Sequence, residues 1–139
     1  MSGSASGSFV MPAHVVSMPS AFDFTTTVAR IEAALAERNI ALFAKIDQAR
    51  AAADSGTALR LTVLLVFGNP AAGTPIMAAN PHAAVELPLK AVIWEDDANG
   101  VHVDYADVTQ VLAPDYGLDP VPFAALGKVA GMLRSVVSS

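Results

Sequence analysis

Residues 68–74 read Gly-Asn-Pro-Ala-Ala-Gly-Thr and follow directly on the run Leu-Thr-Val-Leu-Leu-Val-Phe. A strand that runs into a glycine-bearing loop and then a helix start offers backbone amides, the arrangement that draws anions. Asn69, Gly73 and Thr74 are therefore the candidate ligand-binding residues, and a small anionic molecule is the expected ligand. The Lys-Ser/Thr pair of a nucleotide P-loop is missing, so a nucleoside triphosphate is not implied. A structural turn, in which the glycines serve backbone geometry alone, is the plainer reading of the same residues.

Asp47, Lys90 and Glu95 form a second candidate set, because each stands in or beside a strand-like run where charge is otherwise scarce. In a shared cleft, burial would push the Lys90 ammonium down and a neighbouring carboxylate would push it up. A satisfied ion pair is the simpler outcome. His82 and Glu86 have helical i,i+4 spacing, but no third ligand is signalled and Pro88 follows at once, so neither a metal nor a cofactor is expected. Glu95, Asp96 and Asp97 read as a solvated acidic tip. No Ser-His-Asp order or GxSxG elbow occurs, which argues against a hydrolase.

The elements that must position these groups are set by composition. The 139 residues are the size of one domain. With 53% hydrophobic and 15% charged residues, the chain is poorer in charge than the ~25% of ordinary soluble domains. Residues 1–69 hold five basic and five acidic side chains, and residues 70–139 hold three and eight, so nucleic acid is not an expected partner. The apolar runs fall far short of the ~20 residues that span a bilayer. The first residues have neither the basic nor the apolar region of a signal peptide, so no membrane and a cytoplasmic location are expected. The absence of cysteine removes thiolate ligands and thiol nucleophiles. Residues 1–12, rich in Gly and Ser, read as a flexible tail and residues 13–139 as one domain.

Runs 61–67 and 89–94 are apolar on both faces and read as strands in the middle of a sheet. A short strand at 14–18 precedes a helix capped by Asp23 or Thr25, which runs to Arg38 and ends on a left-handed Asn39. Residues 41–47 alternate as a half-buried strand and 48–54 form a short helix. Two proline-led helical turns fill 73–85, and a tight Asn-Gly hairpin at 97–100 joins strand 89–95 to 101–105. A short helix from Asp107 to Leu112, a loop at 114–120 and a helix at 122–137 complete the order. Gly127 and Gly131 predict close approach of that last helix to its neighbour. The expected core holds Val28, Ile31, Leu35, Leu42, Ile46, Val63, Leu65, Val92, Trp94, Leu126, Val129 and Leu133. The fold class is α+β, a mainly antiparallel sheet with helices packed on one face, in a β-α-β(4)-α-like order.

The strings Leu-Leu-Val-Phe-Gly-Asn-Pro-Ala-Ala-Gly-Thr-Pro-Ile-Met, Glu-Leu-Pro-Leu-Lys-Ala-Val-Ile-Trp-Glu-Asp and Val-Asp-Tyr-Ala-Asp resemble the bacterial family catalogued as domain of unknown function 302, over residues 15–118. The resemblance implies a compact α+β domain similar to the TBP-like folds, frequent homodimers, and no assigned activity. Where relatives commonly carry histidines, this chain has Gln48 after Ile46-Asp47 and Tyr116 before Gly117. A metal or acid–base role resting on those imidazoles is therefore not carried over.

Together these readings predict a homodimeric binding or interaction module with a small-anion site after the central strand. The alternative is a small monomeric or dimeric enzyme using Lys90, Glu95 and Asp47 in a cleft.

Overall fold

Alternating apolar residues on three adjacent strands build the floor of the molecule. In the computed structural model, which describes residues 9–139, strands β1 (Val15–Pro19), β2 (Ala41–Asp47), β3 (Thr62–Gly68), β4 (Leu89–Glu95) and β5 (Val101–Ala106) form one antiparallel sheet. Their order is β1-β5-β4-β3-β2, so β4 is central and β1 and β2 are the edges. Val63, Leu65 and Phe67 on β3, Leu89, Ala91 and Ile93 on β4, and Val101, Val103 and Tyr105 on β5 all point to one buried face. The expected tail falls mostly on residues 1–8, outside the described residues. Phe9 lies edge-on to Trp94, with ring centroids 6.3 Å apart.

Helices α1 (Phe24–Glu37) and α5 (Val129–Val137) cover that face. Asp23 starts α1, its carboxylate accepting from the Thr26 amide at 2.8 Å. Val28, Ile31, Ala34 and Leu35 then recur at three-and-four spacing and are buried. Asn39, at φ 56°, ends the helix and returns the chain to β2. Arg30 ties the two helices together, its Nε donating to the Val136 carbonyl at 2.9 Å. Helix α2 (Gln48–Asp54) follows β2, and α3 (Pro70–Ala79) and α4 (Thr109–Tyr116) follow β3 and β5 at one end of the sheet, where Asn80 Nδ2 donates to the Tyr116 carbonyl at 3.0 Å.

The other face of the sheet has no helix layer, and this corrects the two-faced burial expected of runs 61–67 and 89–94. Leu64, Val66, Val92 and Trp94 are only half-buried there, and Leu42 and Ile46 of the expected core are exposed. Strand β2 is an edge whose register breaks between Leu42 and Ala44. Such a bulge turns the residue it carries, Phe43, out of the ladder.

Other local expectations also change. Helix α3 is one ten-residue helix that starts at Pro70 and carries Pro75 inside it, in place of two short turns; only Pro81–Glu86 is a 3-10 turn. Helix α4 runs on to Tyr116 through Pro114, and the stretch before α5 is broken into 3-10 turns. A Cβ at Gly127 or Gly131 would meet nothing within 4 Å, so close helix packing does not account for these glycines. In the β4–β5 hairpin only Asn99 takes positive φ. Gly100 is needed for space: a Cβ there would stand 2.7 Å from Asp96 Oδ2.

Candidate functional site

Strand β3 ends at Gly68, and the next residue fixes how α3 begins. Asn69 Oδ1 accepts from the Ala71 amide at 3.0 Å, and its carbonyl accepts from the amides of Ala72 and Gly73 at 2.9 and 3.1 Å. Pro70 has no amide hydrogen to place. The first-turn donors on which an anion site would rest are therefore already bonded within the chain.

Between this turn, the bulge of β2 and the segment leading into β4 lies a cavity of about 280 Å³. Asn69, Gly73 and Thr74 line it, so the three residues singled out after the central strand do share one site. Phe43 comes in from the bulge, Met77 from the second turn of α3, Leu87 and Pro88 from the lead into β4, and Leu126 from the 3-10 turn before α5. A Cβ on Gly68 would touch Phe43 and Pro88 at 3.6 and 3.7 Å, and one on Gly73 would touch Leu87 and Met77 at 3.6 and 3.8 Å. Both glycines thus leave room that any side chain would take up. Gly73 is helical, not left-handed, so its role is space and not strain.

None of the described residues lining the cavity is charged. Two polar groups at its rim, Asn69 Nδ2 and Thr74 Oγ1, make no hydrogen bond among the described residues. The arrangement can hold an apolar body and offer it hydrogen bonds at one end. Phe43 and Met77 carried no sequence signal of their own and Leu126 read only as core, because the bulge that aims Phe43 and the 3-10 turn that places Leu126 depend on the assembled sheet.

The second candidate set is not brought together. Along β4, Lys90 points to the open face and Glu95 to the opposite side, as residues an odd number apart must. Asp47 ends β2 in register with Val63, while Lys90 is in register with Val66. The Asp47 carboxylate caps α2, accepting from the Arg50 amide at 2.9 Å.

Glu86, which has helical spacing from His82, accepts from the Tyr116 hydroxyl at 2.6 Å. Among the described residues no three His, Asp or Glu side chains are grouped to hold a metal ion. In the acidic hairpin, Asp96 accepts from the amides of Ala98 and Gly100 at 2.9 and 2.8 Å and from His102 Nε2 at 2.7 Å. The hydrogen bond from His102, followed by that from Gly100, holds the Asp96 carboxyl below its ordinary value. Trp94 stacks on His102, centroids 4.3 Å apart, and donates to Asp104 Oδ2 at 3.1 Å, while Asp104 Oδ1 is buried without a partner among the described residues.

Fold and cavity define a two-layer α+β domain with one helix-covered sheet face and a small apolar cavity at the end of β3. The family model for the domain of unknown function DUF302 matches residues 16–139, and the chain belongs to that family. The match extends past residue 118, where the motif resemblance ended, to the last residue of α5 and beyond. The crystal structure of an uncharacterized conserved DUF302 protein from Bacillus stearothermophilus superposes with a TM-score of 0.75, covering 91% of this chain and 97% of that one. At 15% identity this likeness shows the fold alone. Two proteins named Fluoride-specific ion channel FluC 1, from Brucella suis biovar 1 and Brucella abortus biovar 1, are each 28% identical over 98 residues, 70% of this chain. The chain spans 39% and 36% of their lengths. Among its own described residues no helix is long and apolar enough to cross a membrane.

Proposed function

We propose that this chain is a small-molecule-binding module that works as a homodimer, with its ligand in the cavity at the end of β3. The observation that carries the reading is the pairing of an apolar wall with two polar groups at an exposed rim, Asn69 Nδ2 and Thr74 Oγ1, that make no hydrogen bond among the described residues. At about 280 Å³ the cavity is at the small end of the usual range of about 300–1,000 Å³ for ligand sites. The test is to fill it. Gly73→Leu should abolish the thermal stabilisation that a screened ligand gives the unaltered chain, because a ligand that binds only the folded state raises stability by mass action. Equal stabilisation of both proteins would reject the site.

The open sheet face supports the dimer. Leu64, Val66, Val92 and Trp94 are half-buried there and Ile46 is exposed beside them; Phe9 packs edge-on against Trp94, and Val10, Met11 and Pro12 border Leu64 and Val92, so the chain's own described residues cover only part of this face. A second copy related by a two-fold axis presents the same apolar face in return. Light scattering at micromolar concentration should give twice the chain mass, and a monomer mass across the dilution series would reject the dimer.

The 28% likeness to fluoride-specific channels places fluoride among the ions for the same thermal screen, beside phosphate and carboxylates. An enzyme built on Lys90, Glu95 and Asp47 is the weaker reading, since the register separates the three groups.

A further inference from the structure

Resting on the reading that the cavity at the end of β3 is the binding site, we propose that its ligand is uncharged: a flat or branched apolar molecule whose one carbonyl-type acceptor is held by Asn69 and Thr74. A charged ligand seated in this cavity would give up part of its hydration, and the described walls offer no opposite charge in return. Among the described residues no lysine, arginine or histidine lines the walls, and the amides of Ala71, Ala72 and Gly73 are committed to Asn69. The two groups left to recognise a polar atom are the Asn69 amide nitrogen, which can only donate, and the Thr74 hydroxyl, which can donate or accept. A neutral carbonyl oxygen satisfies both.

Size and shape narrow the class further. A dry cavity of about 150 Å³ accommodates benzene, so 280 Å³ admits a molecule of about ten heavy atoms. The Phe43 ring and the Met77 thioether are soft, polarisable walls on which an aromatic ring packs well. Aryl ketones, benzamides and cyclic ketones are the chemistry that fits.

Titration calorimetry with methyl NMR on the full chain tests this with matched probes: acetophenone and benzamide as neutral carbonyl compounds, benzoate as the anion of the same outline, and toluene as the ring without an acceptor. Acetophenone or benzamide should shift the Met77 and Thr74 methyl resonances and bind about ten-fold more tightly than benzoate. Thr74→Val should weaken the carbonyl probes about three- to ten-fold and leave toluene unchanged, as expected for the loss of one hydrogen bond. Benzoate binding as tightly as acetophenone at the same resonances would overturn the uncharged class while leaving the site in place. If no probe moves those resonances, or if Gly73→Leu binds acetophenone undiminished, the site falls and this proposal with it.

Discussion

His102 Nε2 donates to Asp96 Oδ2 at 2.7 Å across the base of the β4–β5 hairpin, and the other oxygen of the same carboxylate takes the Gly100 amide at 2.8 Å. Both bonds are strongest to an ionised Asp96, whose carboxyl is held below its ordinary value of 3.8, first by His102 and then by Gly100. A carboxyl depressed in the folded state stabilises fully above its unfolded value and loses that contribution as pH falls toward its own lower one. The melting temperature should therefore drop below about pH 4, and Asp96→Asn should flatten that acid limb. An unchanged acid limb in the variant would show that other carboxylates control it.

Gly100 tests the same turn sterically. Its added Cβ would stand 2.7 Å from Asp96 Oδ2, so Gly100→Ala must either shift the carboxylate or break its bond to His102. A loss of about 1–3 kcal/mol by denaturant unfolding is expected for such overpacking. A loss below about 0.5 kcal/mol would mean that the hairpin relaxes freely.

Tyr105 is fully buried, stacks on Phe67 with centroids 6.4 Å apart, and its hydroxyl finds no partner among the described residues. Burial, helped by the Asp107 carboxylate, pushes the phenol well above its ordinary value of 10.0. Tyr105→Phe removes an unbonded buried hydroxyl and should leave stability unchanged or raise it by up to about 1 kcal/mol at neutral pH. A phenol raised in the folded state stabilises fully below pH 10.0 and loses that contribution above it, so the variant should also be less sensitive to alkali. A clear loss of stability at pH 7 would reveal a partner for the hydroxyl.

Adjacent residues of β3 report on the two faces of the sheet. Leu65 is completely buried under the helices and Leu64 is half-buried on the open face. Leu65→Ala should cost about 2–5 kcal/mol, against about 1 kcal/mol for Leu64→Ala measured at dilution. Val92→Asp, on the open face beside Leu64, should give a folded monomer by light scattering; a dimer surviving this change would move the interface elsewhere.

The sequence reveals most where a local rule acts alone. Asp23 caps α1 and Asn39 ends it because a short polar side chain and a left-handed residue do the same work in any fold. Asn69, Gly73 and Thr74 were legible as one group because strand, turn and helix start are contiguous. The covering of the sheet was not. Apolar residues on both faces of a strand do not say which face the chain's own helices cover. Phe43 was hidden for a similar reason, since nothing within the run 41–47 reveals the bulge that its pairing with β3 creates. The separation of Lys90 from Glu95 was available from the two-residue period of a strand, which places residues an odd number apart on opposite faces.

The measurement that bears most directly on the cavity is a methyl-detected NMR screen of small molecules against the unaltered chain and Gly73→Leu, read at Thr74, Met77, Leu87 and Leu126. Binders should move these methyl groups together in the unaltered chain and move none of them in the variant, while resonances of the α1–α5 core stay in place in both. Binders that shift only the open face near Val92, or that shift both proteins alike, would contradict a binding site in this cavity.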